Sequence, residues 1–329
     1  MVLMIKNKKI LITGAAGFIG SNLTDKLLKL DNEVVGIDSL ITGNLNNLDD
    51  ALRKPNFKFI QDDLCDLDTF NKLNDEQFDV IFHQAALPSV SKSIKFPLLT
   101  NNNNVNATIN LLEYARKNDI EKFIYASSSS VYGDSPQLPK STSMHTKPIS
   151  PYGVSKLAGE YYTYVYYKIY GLKTVSLRYF NVYGPRQSYN QYSGVITIFF
   201  NRVINNQPPI IFGTGEQTRD FTYIDDVVNA NIIAVKTKNV EGNVFNIANG
   251  SQTSINDLAL KIISIANKNL KPIYQKPRLG DILHSLADIS ETKLLLKFSP
   301  SYSIDSGLKK YYNWLINKKS KYKSSLGIN

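Results

Sequence analysis

The stretch KILITGAAGFIGSNL, Lys9 to Leu23, changes character twice. An apolar run, KILIT, gives way to three glycines at even spacing, Gly14, Gly17 and Gly20, and these open an apolar-periodic segment that continues through TDKLLKL. Strand, glycine turn and helix in that order begin a dinucleotide-binding unit. The glycines make the tight turn, let backbone amides approach a pyrophosphate and pack helix on strand, with the phosphate at the helix N-terminus. Glycine spacing alone is a weak signal. Here Asp38 closes the next apolar run, EVVGID, where a carboxylate binds the hydroxyls of an adenosine ribose. That carboxylate would repel a 2′-phosphate, so the expected cofactor is NAD rather than NADP.

Further runs of the same kind follow outward from this start: FKFIQDD, DVIFHQAA, KFIYASSS and KTVSLRYF, each separated from the next by a stretch of helical period. Strands alternating with helices imply an α/β fold with a doubly wound parallel sheet, whose ligands bind at the strand C-termini. Asp63, at the end of FKFIQDD, is then placed to bond adenine, and Ala85 and Ala86, after DVIFHQ, to line the cofactor. After Phe180 the pattern loosens. YGPRQ, QPPIIFGTGE and KPRLGD mark loops, while NVFNIANG predicts one more strand. The expected organisation is an NAD-binding Rossmann domain over 1–180 and a smaller substrate domain over 181–329, with the chain around 221–250 partly returning to the sheet.

Bulk composition narrows the class. No run approaches the roughly 20 apolar residues that span a bilayer, and no cleavage pattern follows the N-terminal MVLMIKNKK, so a cytoplasmic protein without a membrane span is expected. The single cysteine, Cys65, excludes an internal disulfide and cannot build a zinc site alone. A net charge of +10 would suit nucleic acid, but its densest cluster is the tail Lys318-Lys319-Ser320-Lys321, which reads as a solvated end; no nucleic-acid partner is expected.

Tyr152 and Lys156, in SPYGVSK, are four residues apart and share one face of a helix started around Ser150. The serine run Ser127 to Ser130 ends the strand KFIYA and so arrives at the same sheet edge as the cofactor. A hydroxyl, a phenol and an ammonium beside a nicotinamide form a proton and hydride machine, in which Lys156 and the cationic ring are expected to depress the phenol pKa and make Tyr152 a usable base.

Through TGAAGFIGSNL, SSSSVYGD, SPYGVSK, LRYFNVYGPRQ, GEQTRDFTYIDDV and RLGDILHSLADIS the chain resembles the extended short-chain dehydrogenase/reductases, and among them the UDP-sugar 4-epimerases. The resemblance implies tightly held NAD, Tyr152 as base, Lys156 holding both Tyr152 and the nicotinamide ribose, and Ser128 on the reacting 4-hydroxyl with Ser129 and Ser130 as helpers. It adds Phe18, Ile19, Leu64, Asn104 and Tyr179 to the residues expected around the cofactor. Relatives that eliminate water carry an Asp-Glu pair where Ser129 and Ser130 stand, and serine cannot serve as their acid or base at neutral pH.

For the substrate, the resemblance implies diphosphate contacts from Arg219 and Arg278, forked donors suited to phosphate oxygens. It also implies Asn181 at the diphosphate or sugar and Asp281 at the uridine ribose. Ser285 is the gatekeeper beside C2 of the hexose: a small residue leaves room for an N-acetyl group, and such a pocket rejects the smaller hexose by only about 1–3 kcal/mol. UDP-N-acetylglucosamine and UDP-glucose, each with its galacto epimer, are therefore the expected substrates, and Pro88 argues for dual preference. Gln187, Asn190 and Gly194 are weaker pocket candidates, and Leu279 is a loop variation of no evident consequence. Arg186 keeps a uronate 4-epimerase open, since in that group an arginine of this loop pairs with the C6 carboxylate. His284, despite being the usual type of base, is assigned to packing or surface. The apolar and aromatic faces of VNATINLLEYARK and KLAGEYYTYVYYKIY imply a homodimer through a four-helix bundle.

Overall fold

The computed structural model describes residues 5–73, 76–189, 194–277 and 283–325. The strand β1 (Lys9–Thr13) leads through the glycine turn into α1 (Phe18–Leu28), and β2 (Glu33–Asp38), β3 (Phe57–Gln61) and β4 (Val80–His83) follow. Next come α2 (Val90–Lys95), α3 (Pro97–Asn101), a π-helical turn over Asn102–Asn106 and α4 (Ala107–Lys117). The strand β5 (Lys122–Ser128), the long α5 (Pro151–Tyr170) and β6 (Thr174–Tyr179) complete the run. Together with a strand at Val244–Ile247 the six strands form one seven-stranded sheet in the order Val244–Ile247, β6, β5, β4, β1, β2, β3, every pair parallel.

The order explains the sequence pattern. Strands β1, β4 and β6 are buried on both faces; β1 and β4 are largely apolar, as parallel strands covered by helices on both sides tend to be, while β6 alternates apolar residues with the buried polar Thr174, Ser176 and Arg178. β3, at one edge, is only half-buried. The chain moves outward from β1 to β2 and β3, then returns to the other side of β1 to lay down β4, which opens a crevice beyond the strand ends. The helix expected across VNATINLLEYARK is present but begins with the π turn. The extra residue brings Asn104 inward, where its amide donates to Ser155 Oγ at 2.9 Å and its oxygen accepts from the Leu87 amide at 2.7 Å.

The remaining chain also packs on this sheet, with the helix Ile224–Lys236 against α1, β5 and β6. Asp220 is fully buried and accepts backbone amides from Asn249 at 2.9 Å, Gly250 at 3.0 Å and Ala287 at 3.2 Å. It thereby ties two separate segments to one carboxylate, whose pKa burial pushes up to about 6 against the opposing pull of those amides. Among the described residues no helix is long and apolar enough to cross a membrane. Asp220→Ala strands these amides without acceptors, each at roughly 1–3 kcal/mol. The urea denaturation midpoint should therefore drop by the equivalent of at least about 3 kcal/mol, and a midpoint within error of the native one would refute this role.

Candidate active site

The cofactor cleft lies where the order of strands reverses. Gly14, with a left-handed φ of +67°, packs so closely on the end of β4 that a Cβ would stand 2.7 Å from the Ala85 amide nitrogen. A Cβ on Gly20 would stand 2.1 Å from the Gly14 carbonyl oxygen, and Gly17 caps α1 with extended backbone and no side chain. The result is bare backbone at a helix N-terminus, a surface that fits a pyrophosphate. Gly14, Gly17, Phe18, Ile19, Gly20 and Asp38 line one side of this cleft, and Asp63, Leu64, Ala85 and Ala86 the other. Asp38 accepts the amides of Ala16 at 2.9 Å and Leu40 at 2.8 Å, which hold its carboxylate at the end of β2, although burial raises its pKa. Asn104 does not reach the cleft: its side chain is spent on Leu87 and Ser155, as described above. Ser39, Thr42 and Gln84 also line the wall, and nothing in their residue types had singled them out.

A second cavity adjoins the first through Phe18, Ile19 and Pro88 and contains Ser128, Ser129, Ser130, Tyr152, Tyr179, Asn181, Arg219 and Ser285. Tyr152 is delivered to it by the start of α5. Ser150 caps the helix by accepting the Gly153 amide at 3.1 Å, Pro151 occupies the first turn, and the Tyr152 amide donates to Ser93 Oγ at 3.1 Å. Gly153 allows the approach, because a Cβ there would lie 2.8 Å from the Ser130 carbonyl oxygen. Ser128 Oγ accepts the Ser130 amide at 3.2 Å, and the Ser130 hydroxyl is buried without a protein partner. Tyr179 is held by Gln84 and Asn231, its hydroxyl donating to Asn231 Oδ1 at 3.0 Å.

The geometry bears on three expectations. Burial raises the pKa of the Tyr152 phenol, with the Ser128 hydroxyl as the opposing contribution, so the protein alone does not depress it. Lys156 lies behind Tyr152 rather than on the cavity wall, and its ammonium donates to the Ala126 carbonyl at 2.8 Å, 5.1 Å above the Tyr125 ring. His284, expected in packing or at the surface, is exposed and lines this second cavity, with Nδ1 3.0 Å from Thr218 Oγ1. Lys140, overlooked because it sits in a stretch of no clear pattern, lines the same cavity and is buried.

Asn181 and Arg219 continue into a third cavity floored by Ile210, Ile211, Phe212 and Phe221, an apolar slot with Gln187 and Gly194 at its side. The Asn181 amide donates to the Asp220 carbonyl at 2.9 Å, and Arg219 Nη1 to the Thr218 carbonyl at 2.9 Å. Gln187 is fixed by Val182 and Thr197. Arg186 faces elsewhere, donating to Asp25 at 2.6 Å. Arg278, Leu279, Asp281 and Asn190 lie outside the described residues. Among the described residues no group of three or more His, Cys, Asp or Glu could hold a metal ion.

Residues 10–248 match the NAD dependent epimerase/dehydratase family. The chain belongs to that family. It is an isomerase-family enzyme with NAD as cofactor. A putative UDP-glucose 4-epimerase of Methanocaldococcus jannaschii is 41% identical over 94% of this chain and 98% of that protein. Among solved structures, a UDP-N-acetylglucosamine 4-epimerase from Methanobrevibacter ruminantium, in complex with UDP-N-acetylmuramic acid, is 38% identical with a TM-score of 0.91, over 95% of this chain and 100% of that one. A UDP-glucuronic acid 4-epimerase from Bacillus cereus, in complex with UDP-glucuronic acid and NAD, is likewise 38% identical, with a TM-score of 0.87 over 94% and 99%. If the cleft's fit depends on bare backbone, Gly20→Ala should remain folded by circular dichroism yet purify with NAD content reduced on the order of tenfold, the price of about 1–3 kcal/mol of overpacking. Native NAD content in that variant would contradict the fit.

Proposed function

We propose that this NAD-dependent UDP-sugar 4-epimerase interconverts UDP-N-acetylglucosamine with UDP-N-acetylgalactosamine, and also UDP-glucose with UDP-galactose. The observation that carries the reading is the single cavity holding Ser128 and Tyr152 against the cofactor cleft, with only serines at the two positions after Ser128. Such a set supplies one proton acceptor and no acid–base pair for elimination.

In this mechanism Tyr152 accepts the proton of the sugar 4-hydroxyl while Ser128 holds that hydroxyl in place. NAD, when bound, supplies the acceptor for the C4 hydride and the source of its return. Lys156, behind Tyr152, provides the positive charge that favours the phenolate once the site is filled. The 4-keto sugar must present its other face before Tyr152 returns the proton, so the hexose needs room while the nucleotide stays fixed. Polar groups of Asn181 and Arg219, with Arg278 and Asp281, are assigned to the fixed diphosphate and ribose. The apolar slot at Ile210–Phe212 takes the base.

Substrate choice is argued from Ser285 and Arg186. Ser285 contributes a small side chain to the catalytic cavity, which leaves space beside C2 for an acyl group. The uronate alternative needs a cation at C6, and Arg186, its candidate, is engaged with Asp25 and does not line that cavity. Residues 1–180 are taken as the cofactor-binding part and 181–329 as the UDP-sugar part. A homodimer is supported by apolar side chains left exposed along α5 and the neighbouring α3, including Tyr161 at 61%, Ile169 at 68% and Leu98 at 85% exposure.

Incubating the purified protein with UDP-N-acetylglucosamine, UDP-glucose and UDP-glucuronate, without added cofactor, should give epimerisation of the first two. Tyr152→Phe should abolish it with NAD still bound, and Ser285→Tyr should remove only the acetylated substrate. No turnover of any UDP-hexose sinks the activity, and equal loss of both substrates in Ser285→Tyr sinks the gatekeeper. Leu98→Glu should convert a dimer to a monomer in sedimentation velocity; an unchanged sedimentation coefficient would exclude that face as the interface.

A further inference from the structure

Beneath the catalytic pair lies a buried ion pair that the mechanism above leaves without a task. Glu160 follows Lys156 by one helical turn on α5, and both side chains are nearly inaccessible, at 4% and 3% exposure. Arg178, from β6, donates to both Glu160 oxygens, Nε at 2.8 Å and Nη2 at 2.7 Å, and Ser127, from β5, adds its hydroxyl to the same carboxylate. The guanidinium also lies 4.7 Å over the Tyr132 ring, whose hydroxyl donates to Asn246 at 2.6 Å. Two strands and a helix are thus committed to fixing one carboxylate next to the catalytic lysine.

A buried ammonium tends to shed its proton, because the neutral amine loses less solvation. We propose that Glu160 is a positioning residue that keeps Lys156 in its charged form and so sets the alkaline limit of catalysis. This inference rests on the roles given above to Tyr152 and Lys156. The titratable groups around Lys156 are His83 from β4, Tyr125 from β5, and Tyr152 and Glu160 from α5 itself, with Arg178 one contact further, on Glu160. His83 is held neutral: burial brings its pKa to about 3, and its two nitrogens pair with Thr13 and Thr108. Burial raises both tyrosines. Glu160 is therefore the one anion of the group. Arg178 is the forked partner of that carboxylate, and a guanidinium does not deprotonate. The balance is visible at Lys156, whose pKa burial lowers to about 7 while Glu160 pulls it up.

The sign follows directly. Lysine is charged below its pKa, so removing Glu160 lowers that pKa and discharges Lys156 at a lower pH. In the purified protein, side-chain NMR of isotope-labelled lysine, with the Lys156 signal assigned by Lys156→Arg, should show its titration midpoint in Glu160→Gln at least about one pH unit below native, a tenfold change in the ratio of charged to neutral amine. The fall in epimerase kcat on the alkaline side should move down by the same amount. Because Glu160→Gln strands a buried guanidinium and endangers folding, Glu160→Gln/Arg178→Met removes both charges together. It should shift the midpoint in the same direction but by less, because the Arg178 cation is lost together with the anion. A native midpoint and a native alkaline limb in either folded variant overturn the proposal, and a loss of activity equal at every pH assigns Glu160 to packing alone. Should the native protein turn over no UDP-hexose, the proposed activity fails while the lysine titration still decides this inference.

Discussion

Seven parallel strands must release all their C-terminal loops at one edge, and that edge is where the sheet of this protein reverses its strand order between β1 and β4. The reversal is narrow enough that Gly14 and Ala85 touch through backbone alone. From this contact the rest follows in space: the cofactor cleft lies across it, the serine run ending β5 enters the adjoining cavity, and α5 brings Tyr152 down on that cavity from the side.

Much of this was legible because the fold writes itself in local patterns. The glycine turn, the apolar strands and the proline at the start of α5 each state a backbone requirement in residue types. The serine run and Tyr152 could be joined from sequence since both were referred to the same sheet edge. What stayed hidden depends on distance along the chain. Asn104 looked like a cofactor residue, yet a π turn directs it to Leu87 and Ser155. His284 and Lys140 carry no periodic signal, and the bridge pairing Thr218 with His284 that brings the latter to the cavity joins residues far apart in the chain.

The same distinction governs charge. A single arginine in a loop has many uses, and Arg186 shows one of them: it binds Asp25 of α1 and so stays off the wall of the sugar cavity, whose basic residues are Lys140 and Arg219. Arg178 reads in sequence as an odd cation inside a strand, and only the register that sets it opposite Ser127 reveals that both grip Glu160. Burial then acts on whatever remains. It pushes Tyr152 and Asp220 up and Lys156 down, so at all three the protein disfavours the ionised form, and at Lys156 the neighbouring Glu160 pulls the other way.

The central claim is that one tyrosine and one resident cofactor invert C4 by removing and returning the same hydrogen. Epimerisation of UDP-N-acetylglucosamine carrying deuterium at C4, followed by mass spectrometry with protein as purified and no added NAD, tests it most directly. The account predicts a galacto product that keeps the deuterium. Washout of the label into solvent, or no conversion at all, would contradict it.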